Sequence, residues 1–288
     1  MKPFIIVRLE GGLGNQMFQY AFGRSTSEKL RCDLKFDLSL VSGKRVYRRY
    51  LLNAFNTEIV AASARDIRKS TCYCQENHFC FNPCFYDHKP PIYFIGTWPN
   101  LDYFYDIQDK IKKEFTLKPS VLNSPRLQYE LSKVKNAESV AIHIRMGDYI
   151  NSDLFVCDAR YYEQAITLMK LLVPSARFFI FSDEKEKAKN FLRMTEKTYN
   201  VKGQTDIEDF YLMSQCKHII MPNSTFSWWA AFLNPNINKR IICPASFISS
   251  SHILFYRKIF PQQWIKIHYN TQKQSWYIPT YTIRQIQG

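Results

Sequence analysis

Between Ser139 and Pro244, short apolar runs alternate with segments of helix length, and this rhythm constrains the fold more than any other feature. SVAIHIR (139–145) is followed by the helix-like ARYYEQAITLMKLL (159–172). ARFFIFSD (176–183), rich in β-branched and aromatic residues, precedes the charged EKEKAKNFL (184–192). A short strand near TYNV (198–201) leads into a helix from about Asp206 to Cys216. KHIIMP (217–222), FSWWAAFL (226–233) and KRIICP (239–244) close the series. Strands alternating with helices of about 10–15 residues predict βαβ units and a doubly wound parallel sheet.

The first half opens in the same way, with the strand PFIIVRLE (3–10), the turn GGLGN (11–15), the helix QMFQYAFGRSTSEKL (16–30) and the strand CDLKFDL (32–38). The pattern weakens through a basic loop and a Cys-rich stretch, then returns at IYFIGTW (92–98) and DYFYDIQDKIKKEF (102–115). These elements predict an α/β chain of two Rossmann-like domains facing a cleft, spanning 1–130 and 137–288. The join is expected near KPSVLNSPRLQ (118–128), where two prolines interrupt the pattern. The stretch after Trp264 is aromatic and polar without a clear period, and is expected to pack back on the first domain.

A chain of 288 residues can fill one large domain or two medium ones. Its 46% hydrophobic and 22% charged residues exclude the disordered class. No segment approaches the about 20 apolar residues of a membrane span. MKPFIIVRLEGG is charged too early for a secretory signal, so the chain is expected to stay in the cytoplasm.

The net charge of +14 is spread over both halves, and its densest run, SGKRVYRRY (42–50), holds Lys44, Arg45, Arg48 and Arg49. Such a balance favours anionic partners: nucleotide phosphates, an anionic bilayer surface or nucleic acid. A solvated basic loop accounts for the run equally well. No nucleic-acid recognition motif is present, so nucleic acid is not an expected partner. Among the 8 cysteines, Cys72, Cys74, Cys80 and Cys84 cluster around His78. Their spacing fits the paired thiols of a zinc site poorly. Scattered reduced thiols are the expectation in a reducing compartment.

Four motifs fall at the carboxyl ends of predicted strands, where ligands collect in open α/β sheets. GGLGNQ (11–16) places Gly12, Gly14, Asn15 and Gln16 at a helix start whose N–H groups suit an anion. A tight corner is the plainer reading of the same glycines. HIRMGD (143–148) puts Arg145 at the end of a buried strand, where a guanidinium needs an anion, either phosphate or the nearby Asp148. FSD (181–183) offers Asp183 to a ribose hydroxyl or a base edge, or as a helix cap. NSTFSWW (223–229) sets small polar side chains at a helix start, a phosphate seat or an ordinary cap, with Trp228 and Trp229 expected in the core. No Asp-x-Asp pair accompanies these motifs, so no metal or other cofactor is expected and nucleotide charge falls to Arg, hydroxyls and helix ends.

Taken together, EGGLGNQMFQYA (10–21), FIGTWPNLDYFYDIQDKIKKEF (94–115), VAIHIRMGDYI, FFIFSDE and DIEDFYLMSQCKHIIMPNSTFSWWAAFLN resemble the α-1,2-fucosyltransferases of glycosyltransferase family eleven, from the first strand to about Pro244. More distantly the chain is similar to the fucosyltransferases that include the protein O-fucosyltransferases. The family commonly carries two consecutive arginines where this chain has Arg145 and Met146, and its counterpart of the Cys-rich stretch lacks cysteines. The resemblance implies a two-domain GT-B fold and inverting transfer of fucose from GDP-fucose to a galactoside, most simply at O2.

It further implies that His143 and Asp183 hold guanosine, and that Arg145 holds the diphosphate with Ser224, Thr225 and Ser227. Asn223, Phe226, Gly12 and Gly14 complete the donor site, with Asn15 reaching in from the first domain. Asp148 is the first candidate for the general base, followed by Glu10 and then His143. The expected partners are GDP-fucose, a glycan acceptor that includes lipid-linked oligosaccharide, and an anionic membrane at the inner face. Transfer to protein, or a non-catalytic glycan- or nucleotide-binding protein of the same fold, are the alternatives.

Overall fold

The structure is a computed structural model and describes residues 2–43, 46–76, 80–147, 156–192, 198–201, 203, 205–247, 259–270, 273 and 275–279. The chain forms two compact units, Met1–Pro119 and Ser120–Gly288.

In the first unit, β1 (Phe4–Arg8) runs into α1 (Leu13–Lys29) and β2 (Asp33–Asp37). The short α2 (Ala64–Lys69), β3 (Cys72–Gln75), β4 (Ile92–Ile95) and α3 (Gln108–Glu114) follow. All four strands are parallel, in the order β2-β1-β4-β3. Ile5, Ile6 and Val7 are fully buried, as an apolar run in a doubly covered parallel sheet must be. Helix α1 is enclosed on more than its sheet face, since Gln16, Gln19 and Thr26 are as buried as Phe18 and Phe22. Phe22 stacks on Trp98 with centroids 3.9 Å apart. A Cβ at Gly23 would come within 3.0 Å of Leu34, so glycine here lets the helix approach the sheet closely.

The short α4 (Pro119–Leu122) bridges to the second unit, whose first long element is α5 (Pro125–Lys135), started by a Ser124 cap and a first-turn proline. Then come β5 (Ser139–Ile144), α6 (Ala159–Leu172), β6 (Arg177–Ser182), α7 (Lys185–Phe191), β7 (Thr198–Asn200), α8 (Asp206–Gln215), β8 (His218–Ile220), α9 (Thr225–Phe232), β9 (Ile241–Pro244), β10 (Ile265–Asn270) and β11 (Ser275–Tyr277). The sheet order is β11-β10-β9-β8-β5-β6-β7, parallel except for the antiparallel β11. Strand β5 is buried at every residue, with β6 on one side and β8 on the other. The chain thus winds outward from β5 in one direction and then in the other, which makes the β5/β8 boundary the topological switch point.

Two boundaries depart from the sequence reading. Residues 120–130, expected in the first domain, belong to the second unit, where Tyr199 donates its hydroxyl to Glu130 of α5 at 2.9 Å. The described strands after Trp264, expected to pack on the first domain, extend the second sheet. Ile265–Ile267 pair with Ile242–Pro244, and the Trp276 indole N–H donates to Asp158 at 2.8 Å. Among the described residues, no helix is long and apolar enough to cross a membrane.

Candidate functional site

At the switch point the carboxyl end of β5 and the start of α9 come together: the His143 ring lies 5.6 Å from the Phe226 ring, centroid to centroid. His143 ends a wholly buried strand, and the Tyr162 hydroxyl anchors its carbonyl at 2.9 Å. Among the described residues its buried Nδ1 has no hydrogen-bond partner. Burial, and secondarily the Arg145 charge, push its pKa from 6.5 down to about 3, so the ring is neutral at physiological pH.

Arg145 Nη1 pairs with Asp183 Oδ2 at 2.9 Å. The same carboxylate accepts from the backbone N–H groups of Met146 (3.0 Å) and Gly147 (3.1 Å), locking the turn after β5 to the end of β6. A Cβ at Gly147 would stand 2.7 Å from Asp183 Oδ2, so this clamp needs a glycine. Asp183 therefore orients Arg145, a role that sequence reasoning gave to Asp148. Asp183 does not cap α7; Ser182 Oγ instead accepts from the Glu184 N–H at 3.1 Å. Met146, at the family's usual second arginine, is buried in the apolar core beneath the sheet. Asp148 lies outside the described residues.

Across the switch point, β8 leads through Asn223 and Ser224 into α9. Asn223 is buried and donates to the Phe247 carbonyl at 2.6 Å, while Ser227 donates to the Ser224 carbonyl at 3.3 Å. Both are thus engaged in shaping the turn. Ser224 sits at the N-cap, and among the described residues its hydroxyl makes no capping bond. Thr225 and Phe226 are half-buried at the mouth of the helix. The first-turn N–H groups lack intrahelical acceptors, and with the helix dipole they favour an anion. Trp228 and Trp229 are fully buried, as expected.

The first unit presents a different set at the carboxyl ends of its strands. Gly11 has φ +76°, and a Cβ there would strike Asn15 Nδ2 at 2.6 Å, so the turn after β1 requires glycine. Gly12 caps α1, with open space where a Cβ would stand. Gly14 is buried in the first turn beside the half-buried Asn15. Glu10 accepts from Arg8 Nη2 at 2.6 Å.

Sequence reasoning placed Gln16 at the site mouth, but its amide is fully used inside the unit. It donates to the carbonyls of Gly11 (2.9 Å) and Arg49 (2.8 Å) and accepts from Leu51 N–H (3.0 Å). It thus ties the basic loop to the glycine turn. That loop borders a cavity of about 570 Å³ lined by Val41, Ser42, Gly43, Val46, Arg49 and Tyr50. Lys44 and Arg45 lie outside the described residues.

Two groups at this end escaped the sequence reading. Gln19 accepts from Glu10 N–H (3.0 Å) and donates to the Gly96 carbonyl (2.9 Å). Glu76, just past β3, accepts from the N–H groups of Thr97 and Trp98, each at 2.8 Å, and so braces a turn in which Trp98 has φ 58°. Burial pushes its pKa up to about 7. The spacing of two amides, Gln16 and Gln19, among the apolar Met17, Phe18, Tyr20, Ala21 and Phe22 was a readable signal. Glu76 gave none, because its partners lie 21 and 22 residues away.

A chain from Escherichia coli named alpha-1,2-colitosyltransferase is 30% identical over 91% of this chain and 98% of its own length. The E. coli O-antigen biosynthesis glycosyltransferase WbnK is 28% identical over 90% and 99%. Human galactoside alpha-(1,2)-fucosyltransferase 1 is 25% identical over 77% of this chain, which spans 63% of that protein. In fold, the chain is similar to the fucosyltransferase NodZ from Bradyrhizobium, with a TM-score of 0.53 at 15% identity over 84% and 94% of the two chains. The sequence model described as glycosyl transferase family 11 matches residues 4–268, and the chain belongs to that family of glycosyltransferases.

Proposed function

We propose that this glycosyltransferase moves L-fucose from GDP-β-L-fucose to O2 of a galactoside, inverting the anomeric centre to give an α-1,2 linkage, without a metal ion. One observation carries the reading: neutral His143 with an open Nδ1, and Phe226 at the first turn of α9, meet where Arg145 is held by Asp183. A neutral imidazole beside an aromatic ring suits a guanine nucleoside, and a guanidinium with helix N–H groups suits a diphosphate. As the bond from the sugar to GDP breaks, negative charge grows on the diphosphate, so donors already aimed there stabilise the transition state most. The acceptor hydroxyl attacks from the opposite face of the sugar and passes its proton to a base, for which Asp148 and Glu10 are the candidates.

The cavity beside the basic loop, with its Val41 and Val46 wall and its Arg49 and Tyr50 polar groups, suits a sugar acceptor that carries negative charge, such as an oligosaccharide on a lipid diphosphate. The names of the relatives support α-1,2 transfer of either fucose or colitose. Colitose lacks the 3-hydroxyl of fucose, and a site built to bond that hydroxyl rejects the analogue lacking it by about 10⁴–10⁵-fold.

The test offers GDP-fucose and GDP-colitose separately with a panel of galactosides in excess EDTA, and determines the product linkage. An α-1,2-fucoside formed at an EDTA-insensitive rate is expected. Preference for GDP-colitose would replace the donor, another linkage would replace the acceptor position, and turnover that returns only with manganese or magnesium would overturn the metal-free mechanism. Release of no GDP from either donor would leave a binding protein.

A further inference from the structure

Strand β3 is the edge of the first unit's sheet, and its two cysteines are two residues apart. Side chains alternate along a strand, so Cys72 and Cys74 share one face while Tyr73 and Gln75 point the other way and are exposed. Their Sγ atoms lie 3.6 Å apart. From 16 residues further along the chain, beyond a short 3-10 helix at Pro83–Asp87, His88 brings Nδ1 to 3.7 Å from Cys72 Sγ. The two sulfurs and the imidazole all lie within 4.8 Å of one another.

We infer that Cys72, Cys74 and His88 form a binding site for a thiophilic divalent cation, zinc in the first instance. With bonds of about 2.3 Å to sulfur and about 2.0–2.1 Å to nitrogen, tetrahedral zinc holds two sulfurs about 3.8 Å apart and a sulfur and a nitrogen about 3.6 Å apart. The two spacings from Cys72 fall within a few tenths of an ångström of these values, and the Cys74 sulfur and the His88 nitrogen lie within 4.8 Å of each other. A disulfide is a different geometry, since its sulfurs sit about 2.0 Å apart. Two thiolates and an imidazole select zinc over magnesium or calcium, which take oxygen ligands. Cys74 is buried, Cys72 half-buried and His88 exposed, so the ion has a path in through the imidazole side and water completes its fourth position.

Sequence reasoning set a metal aside because it grouped Cys72 and Cys74 with Cys80, Cys84 and His78. The fold pairs the first two with His88 instead, and His78 lies outside the described residues. Cys72 is in register with Ile92, and Ile92 with Ile5, at the amino ends of β3, β4 and β1. Cys74 lies further along, in register with Phe94 and through it with Val7, and the ion is assigned a structural role. Its role is to fasten an edge strand to the segment that closes over it, one way of protecting an exposed sheet edge.

The test uses the full-length chain, reduced and stripped of metal, titrated with cobalt(II) and then with zinc. One equivalent of cobalt should produce thiolate-to-metal charge-transfer absorption and the visible bands of a tetrahedral site, and zinc should abolish both. Cys72→Ser, Cys74→Ser and His88→Ala should each weaken binding at least about 100-fold, beyond the about 10–100-fold lost with an outer-shell partner. Cys80→Ser and Cys84→Ser should leave it unchanged. Far-ultraviolet circular dichroism confirms that each variant is folded, and if the Ser variants unfold, the His88→Ala titration decides alone. Absence of the cobalt spectrum at micromolar metal, unchanged affinity in folded His88→Ala, or dependence on Cys80 or Cys84 would each overturn the site. These readouts are independent of turnover, so they stand or fall apart from the transferase reading.

Discussion

Both units end their parallel strands in polar residues, and the two ends use those residues differently. In the first unit they brace one another: Gln16 makes three bonds to backbone, Gln19 links Glu10 to Gly96, and Glu76 holds Thr97 and Trp98. In the second unit Asp183 does the bracing, while His143 Nδ1 stays unpartnered among the described residues beside the uncapped first turn of α9. Buried polar atoms are normally satisfied; Glu76 Oε1 and Trp98 Nε1 of the first unit also lack a partner among the described residues, so what sets His143 apart is its place beside a helix N-terminus, where an anion is favoured. Each end also holds one titratable group whose neutral form is favoured by burial, and the two are of opposite kind: Glu76 is pushed up to about 7 and His143 down to about 3.

The largest expected effect tests the claim that the second unit carries the charge of the reaction. Arg145→Ala should lower kcat by about 100–1000-fold, or about 2.7–4 kcal/mol, the loss typical of a donor aimed at developing negative charge. Arg145→Lys should recover little, because an ammonium does not reproduce the planar two-pronged contact. Steady-state kinetics with GDP release as the readout checks both, and near-normal turnover in Arg145→Ala would move the diphosphate to another loop.

The next prediction sets these two titratable groups against each other. A carboxyl with a raised pKa binds a proton more tightly folded than unfolded, so its contribution is complete below the ordinary value of 4.5 and is lost as pH rises to about 7. A histidine with a lowered pKa does the reverse: its contribution is complete above 6.5 and is lost as pH falls towards about 3. Glu76→Gln keeps an oxygen to accept from Thr97 and Trp98 but cannot ionise. Relative to the wild type, its stability should therefore rise by up to about 3 kcal/mol between pH 4.5 and 7. His143→Gln should lessen the loss on acidification below pH 6.5. Urea unfolding across pH reads both, and a Glu76→Gln difference that is flat with pH would show that the carboxyl is not buried as described.

The contrast also explains what the sequence made legible. Strand and helix period located β5, β6, β8 and β9 because each is a local apolar run, and their carboxyl ends carried His143, Arg145, Asp183 and the Asn223–Ser227 run to one place. Partnerships between distant residues were not legible. Arg145 could be seen to need an anion, but Asp183, which supplies it from just past the next strand, lies 37 and 36 residues beyond Met146 and Gly147, whose N–H groups it also holds. The same limit hid Glu76 behind its two backbone donors, and hid His88 from Cys72. Residues 120–130 were assigned to the wrong side because the prolines mark a turn, whereas the unit to which a helix belongs is decided by what it packs against.

The smallest expected effect concerns the basic loop, where two roles meet within neighbouring residues. Arg49 is tied by its carbonyl to Gln16 and lines the cavity at the first unit's glycine end. Arg48 lies over the ring of Tyr47, with its guanidinium carbon 5.0 Å from the centroid, and Tyr47 is 83% exposed. An exposed ring with a cation above it suits a bilayer interface, where each basic residue near anionic lipid contributes about 1 kcal/mol. A variant neutralising Lys44, Arg45 and Arg48 should thus bind anionic vesicles roughly 100-fold more weakly, while fucosylating a small soluble galactoside normally. Arg49→Ala should show the opposite pattern, raising KM for an acceptor that bears a diphosphate and leaving most vesicle binding intact. Vesicle co-sedimentation at rising salt and acceptor kinetics separate the two. If the triple variant pellets like the wild type, the loop is a solvated turn. If it loses activity on the soluble acceptor, Lys44, Arg45 and Arg48 belong with Arg49 in the acceptor site, and the division of labour within the loop is gone.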